Sequence, residues 1–320
     1  MNKTFQRIRG STVSLVKHLL HYTGTSVRQA KKLKASFIVT FHSVSPDDRI
    51  KFEKTIRFLS QNFEIVGLEE LLDQIQGRAS IQKDRLVAIT FDDGFRNHAE
   101  VVYPILERLR VPAAFYICPE LVDRASLIWT WEVHSNLERL SKPARQRFFD
   151  LAGVPENTQG IVNWMKTIPV RRREQIQKDI RNCVQDCKTA QLADDRFELM
   201  TWEQIQKLDP ALITIGSHTL THIDLPYAEP PQLEWELSRS KEHLQSHLNR
   251  KIEHFAYPNG SFTEEVLQTV QRYYRSAVTT RPGIVKRGDD VLSLHRVHAE
   301  FDLPRFSWAL AAAARRGRGS

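Results

Sequence analysis

An α/β fold built on a parallel, barrel-like sheet is the fold class the sequence predicts, and three observations carry it. Seven apolar, β-rich runs recur at wide spacing: Ser36 to Phe41, Leu86 to Phe91, Ala113 to Ile117, Leu212 to Gly216, His254 to Tyr257, Ser276 to Thr279 and Val291 to Arg296. Helical patterns separate most of them, the alternation that crossover helices on a parallel sheet produce. Polar residues gather just past several run ends, where the loops of such a fold converge.

Taken in order, the first run delivers His42 at its carboxyl end, and helical patterns follow at Phe52 to Gln61 and Leu68 to Gln76. Leu86 to Phe91 runs into two aspartates, after which Ala99 to Leu109 reads as a helix and Ala113 to Ile117 as a strand. From about 119 to 205 the rhythm breaks into Trp-bearing and charged helical segments containing Trp129, Trp131 and Trp164, read as an insertion or lid. The alternation resumes with Leu212 to Gly216, a helix over Leu233 to Leu248, a strand closed by Pro258 and Gly260, and a helix over Thr263 to Arg272.

The 320 residues allow two domains of about 150 each, or one barrel with additions. With 41% hydrophobic and 26% charged residues, 13 Gly and 14 Pro, the chain is an ordinary folded one, which excludes disordered and collagen-like classes. Its three cysteines, Cys118, Cys183 and Cys187, are too few for a disulfide framework, and the absence of an apolar run of about 18 residues excludes a spanning helix. Residues 1 to 34 carry eight Lys and Arg and no acid, so the whole net charge of +8 resides in that arm. A basic segment of this kind reads first as a solvated helix packed at one end of the domain and second as a peripheral contact with anionic membrane, and nothing beside it suggests nucleic acid. The arm lacks a small-residue cleavage site, which leads to the expectation of a cytoplasmic protein, peripheral to the inner face of the membrane at most. The expected divisions are a basic arm over 1–35, the barrel over 36–310 with its helical insertion, and a basic tail over 311–320.

Four segments bear on chemistry. Asp92 and Asp93 end a buried strand, and two adjacent carboxylates there are costly to desolvate unless a cation sits against them. Their neighbourhood with different roles demands an irregular strand end, which Gly94 permits. Ser217-His-Thr-Leu-Thr-His222 follows another strand; a helical turn after Gly216 would put His218 and His222 on one face, able with a carboxylate to grip one ion. His243 and His247 share that spacing inside a charged helix, far from a strand end, and read as a solvated face. The turn His254 to Ser261 can aim a backbone N–H into a pocket, though by itself it reads as a strand-ending turn, and His42 suits proton donation near neutrality, though a lone His after a strand is more often structural. Of His295, Arg296 and His298, alternation forbids all three from facing the site, and Arg296 reads equally well as a partner for an aspartate or as a packing residue. Cys183 and Cys187 read as small buried hydrophobes.

Thr90-Phe-Asp-Asp-Gly94 followed by Ser217-His-Thr-Leu-Thr-His222 resembles the first two motifs of the polysaccharide deacetylases, carbohydrate esterase family four with NodB homology. The resemblance covers roughly residues 36 to 120 and 200 to 300. It implies a distorted incomplete (β/α)7 barrel with a helical insertion and a divalent metal, usually zinc. It also implies removal of N-acetyl groups from N-acetylhexosamine in a surface or exopolysaccharide glycan or its precursor. By position, Asp93, His218 and His222 resemble the metal ligands, Asp92 the base that deprotonates the attacking water, and Tyr257 the residue whose N–H stabilises the oxyanion. Ala256 stands where the family places an Arg, so Arg296, or failing that Arg281, is expected to orient Asp92. Phe41-His-Ser-Val44 resembles the segment that opens a circularly permuted branch including poly-N-acetylglucosamine deacetylases, which implies His42 as general acid, with His295 as the alternative. Hydrolysis of another non-peptide C–N bond, or an inactive glycan-binding protein of the same fold, are the other readings.

Overall fold

The computed structural model describes residues 35–154, 156–185 and 197–317; the basic arm and Cys187 lie outside them. Its strands are β1 (Phe37–Phe41), β2 (Glu64–Ile65), β3 (Leu86–Phe91), β4 (Ala113–Ile117), β5 (Ile213–Ser217), β6 (His254–Ala256), β7 (Ser276–Val278) and β8 (Val297–His298). They form a curled sheet in the order β7-β6-β5-β4-β3-β1-β8, with the two-residue β2 beside the start of β3. Every strand pairing is parallel. Before the insertion come α1 (Arg49–Asn62), α2 (Leu68–Ile75) and α3 (Tyr103–Leu109). The insertion holds α4 (Pro119–Asp123), α5 (Trp129–Arg139), α6 (Lys142–Ala152), α7 (Thr158–Met165), α8 (Val170–Gln185) and α9 (Trp202–Gln206). After it come α10 (Pro230–Leu248), α11 (Glu264–Tyr273) and α12 (Leu303–Arg316). The architecture is an incomplete barrel with a helical insertion.

β1 and β3 are buried at every position, as parallel strands covered on both faces must be. Their period-two alternation separates two cores. Phe37, Val39, Phe41, Val87, Ile89 and Phe91 belong to the larger cluster with the surrounding helices. Ile38, Ala88, Ala114, Tyr116 and Ala256 belong to a second, smaller cluster on the other face of the curl. Small side chains there leave room for long ones, and Arg296 lies within 6.0 Å of the Tyr116 ring, 1% exposed.

Two expectations change. The run Val291 to Arg296 is an irregular connection that joins the sheet's two ends, and regular pairing begins only at Val297. Leu294 N–H donates to Ala277 O on β7 at 3.0 Å, and three residues later Val297 sits opposite Val39 on β1. A segment that serves two neighbours diverging around a curl cannot keep a regular ladder with either. The tail expected from residue 311 is helical as far as Arg316. Phe306, Leu310, Ala313 and Ala314 make a buried stripe at helical spacing, and Asp302 caps the start by accepting from Arg305 N–H at 3.0 Å.

The insertion carries its own apolar core, including Trp129, Leu137, Phe149, Ile161 and Ile180. Cys183 packs at its edge, in keeping with a small hydrophobe, and Trp164 also packs against it. No helix among the described residues is long and apolar enough to cross a membrane.

Candidate functional site

The end of β3 departs from strand geometry where two adjacent carboxylates must do different work. Asp93 has φ 79° and Gly94 φ 74°, left-handed conformations that cost a non-glycine residue roughly 1–3 kcal/mol. In return the two side chains no longer point to opposite faces. Asp92 keeps the inward direction of Ala88 and Thr90 and meets Arg296. The guanidinium donates to Asp92 Oδ1 at 2.7 Å and Oδ2 at 2.6 Å, and also to Thr40 Oγ1, Thr90 Oγ1 and the Thr279 carbonyl. Burial alone would raise the Asp92 carboxyl; the Arg296 charge and its two hydrogen bonds outweigh burial and hold it below the usual carboxylate range. Arg296 is thus the arginine that meets Asp92. Arg281 lies elsewhere, its guanidinium 4.8 Å from the Phe262 ring.

His218 and His222 meet Asp93, but without the helical turn expected for them. The segment is a loop with two left-handed residues, Thr219 at φ 63° and His222 at φ 60°. Buried Glu236 of α10 holds it, accepting from Leu220 N–H at 2.9 Å, Thr221 N–H at 3.0 Å and Thr221 Oγ1 at 2.6 Å. Those backbone donors are taken up by a carboxylate, so the loop needs no helical ladder. Gly216 precedes it because a Cβ there would stand 2.5 Å from the Tyr116 ring.

Nε2 of both histidines lies 3.5 Å from Asp93 Oδ1, and the three groups offer one ligand atom each within 4.8 Å. His218 Nδ1 donates to the Ala256 carbonyl at 2.7 Å, which leaves the Nε2 lone pair directed at Asp93. Burial and the neighbouring His218 push His222 down to about 3, so it is neutral. Burial works against the charged form of His218, but the Asp93 carboxylate reverses that and raises it. Trp131 Nε1 takes the other Asp93 oxygen at 3.1 Å. One oxygen and two neutral-capable nitrogens, two of the three oriented by outer hydrogen bonds, fit a divalent transition metal.

His42 lines the same cavity, of about 260 Å³, as these four residues. The turn after Gly94 fixes its loop: Asn97 accepts from Val44 N–H at 3.0 Å and donates to Ser43 Oγ at 2.9 Å, while His98 Nε2 donates to the His42 carbonyl at 2.9 Å. Burial pushes His98 down to about 4, keeping it a neutral donor at physiological pH. His298 stands beside His42, with ring centroids 5.4 Å apart. His295 is exposed and lies outside the cavity wall, so the structure does not bring it to the site.

Tyr257 is also displaced from its expected role. Its backbone N–H donates to Val278 O at 3.1 Å, its hydroxyl donates to Leu292 O at 2.9 Å, and the residue is fully buried. A strand residue keeps its N–H for the ladder; two residues on, Asn259 (φ 56°) has left the strand and lines the cavity. Its side chain donates to Asp224 Oδ1 at 2.5 Å, and Asp224 is ion-paired to buried Arg173 of α8, which stacks over Trp129 at 4.5 Å. Neither Asp224 nor Asn259 was singled out from the sequence, although Asp224 follows the second motif by two residues. The insertion also brings Trp131, His134, Gln159 and Lys166 to the wall.

Known proteins resemble this chain in sequence and in fold. YxkH of Bacillus subtilis (strain 168) is 32% identical over 99 residues, 31% of this chain, which spans about a third of that relative's length (36%). Deacetylase PplD of Streptococcus pyogenes, solved in complex with acetate, superposes with a TM-score of 0.57 at 19% identity, covering 88% of this chain and 98% of that one. IcaB of Ammonifex degensii gives 0.57 at 19% identity over 88% and 97% of the two chains. These likenesses show the fold. The polysaccharide deacetylase profile matches residues 79–277, more than half the chain and including Asp92, Asp93, His218 and His222, so the chain belongs to the polysaccharide deacetylase family.

Proposed function

We propose that the protein is a metal-dependent deacetylase that removes the N-acetyl group from N-acetylhexosamine units of a surface or exopolysaccharide glycan or its precursor. The observation that carries this is one buried carboxylate clamped by Arg296, directly beside a second that shares a cavity with two histidines. An amide is a weak electrophile with a poor leaving group, so its hydrolysis needs a polarised carbonyl, an activated water and a proton for the departing nitrogen.

A divalent cation, taken here as zinc, held by Asp93, His218 and His222 would polarise the acetyl carbonyl and lower the pKa of water. Asp92, kept ionised by Arg296, takes the water's proton. His42, at the end of the neighbouring strand β1 and held by Asn97 and His98, gives a proton to the amine. Asn259, rather than Tyr257, is the residue of its turn placed to meet the acetyl oxygen. Trp131 offers the cavity an aromatic surface suited to a pyranose ring, while its N–H holds Asp93.

Acetate release from chito-oligosaccharides tests this reading. Asp92→Asn is expected to abolish release while metal content stays near wild type; near-normal turnover in that variant overturns the assignment. His42→Ala is expected to lower kcat by about 10² to 10⁴, the usual worth of a positioned acid. Loss of less than tenfold, roughly, would move the donor role elsewhere.

A further inference from the structure

Asp123, His243 and His247 lie outside the catalytic cavity, yet each offers a ligand atom within 4.8 Å of the others. Asp123 ends α4, where the insertion leaves the barrel, and Trp202 begins α9, where the insertion returns. His243 and His247 are one turn apart on α10. Their spacing alone reads as a solvated face, and His247 is indeed exposed, but the tertiary structure adds two partners. His243 Nε2 is 2.9 Å from Asp123 Oδ2. Trp202 Nε1 donates to Asp123 Oδ1 at 2.6 Å, and the Trp202 ring stacks on His247 with centroids 3.9 Å apart and planes at 8°.

This arrangement repeats the catalytic donor set. There, a tryptophan N–H from the insertion occupies one oxygen of Asp93 and leaves the other facing two histidines four residues apart. Here, Trp202 occupies one oxygen of Asp123 and leaves the other 2.9 Å from His243 Nε2, while His247, four residues on, keeps a ligand atom within 4.8 Å and its ring centroid 5.0 Å from that of His243. Two imidazoles a helical turn apart can reach one ion together, and a carboxylate from a separate element completes a three-ligand set with positions left for water. Nitrogen-rich donor sets of this kind favour zinc and its neighbours over calcium or magnesium.

We propose that Asp123, His243 and His247 form a second, surface site for a divalent transition metal, with Trp202 orienting its carboxylate. An ion bound there would tie the outgoing end of the insertion to α10, with the returning end held through Trp202. The inference is independent of the deacetylase reading, because it uses none of the catalytic residues.

Titration calorimetry of the full chain with zinc chloride, after dialysis against a chelator, tests it. Wild type is expected to take two equivalents. His243→Gln with His247→Gln should remove one and leave deacetylation intact; His218→Gln with His222→Gln should remove the other and leave this one. Failure of the surface site and failure of the catalytic site are thereby read separately. Trp202→Phe retains the stack but deletes the N–H, and is expected to weaken the second equivalent by about tenfold. Asp123→Asn, close in shape, should weaken it as well. A second equivalent that survives loss of both surface histidines, or that never appears in wild type under excess zinc, overturns the proposal.

Discussion

Asp92 and Asp93 show how one backbone torsion divides labour between neighbours. On a regular strand the two carboxylates would face opposite sides; the left-handed Asp93 lets one join Arg296 and the other the histidines. Arg296 gives Asp92 its pH behaviour. A carboxyl held below its usual range stabilises the fold at pH above the unfolded value of about 3.9, and that contribution is lost as pH falls through the lower folded value. It also keeps Asp92, the proposed base, ionised into acid solution. Lys at 296 is a point charge without the planar fork, so Arg296→Lys is expected to raise the Asp92 pKa, and the acid limb of the kcat/KM profile should move to higher pH. An unchanged acid limb, measured on acetate release, would show that Arg296 does not tune this base.

Among the elements, the insertion is tied to the barrel at the cavity as well as at its ends. Arg173 of α8 and Asp224 beyond β5 form an ion pair with both side chains buried, and Asp224 also holds Asn259 at the cavity wall. Removing one partner of a buried pair leaves the other charged and dry. Asp224→Ala is therefore expected to cost about 3–5 kcal/mol, read as a lower urea midpoint. The same change frees Asn259, so turnover should fall even where the variant remains folded. The histidine loop is a second example of support from a distant element. Its i,i+4 spacing is visible in the sequence, but its shape depends on Glu236, whose carboxylate collects the loop's N–H groups from a helix fourteen residues downstream of His222.

In the whole molecule, the two outlying members of the proposed catalytic set meet where the sheet is joined. The family profile spans 79–277, whereas His42 precedes it and Arg296 follows it. β1 and β8 are neighbours in the sheet, which brings these two outlying segments to the same rim. Because a metal that binds only the folded chain stabilises it by mass action, removing the ion with a chelator should lower stability as well as activity. The loss expected for an ion previously present at a hundred times its Kd is about 2.7 kcal/mol, seen as a drop in Tm that zinc restores. A Tm indifferent to chelation and zinc would argue against both metal sites.

The alternation of apolar runs, the two aspartates at a strand end and the histidine pair after another are local patterns, so the barrel class, Asp92, Asp93, His218 and His222 were legible in the chain itself, whereas His42 stood out only through the resemblance of Phe41-His-Ser-Val44. Even the need for an irregular strand end followed from requiring two tasks of adjacent residues. The five-bond clamp of Arg296 on Asp92 and its neighbours, the Tyr257 N–H kept in the sheet while Asn259 lines the cavity, the loop in place of a helical turn and the tryptophans on Asp93 and Asp123 were decided only in three dimensions. Each depends on which group another element brings within hydrogen-bond reach, and sequence separation carries no information about that distance once the sheet has curled upon itself.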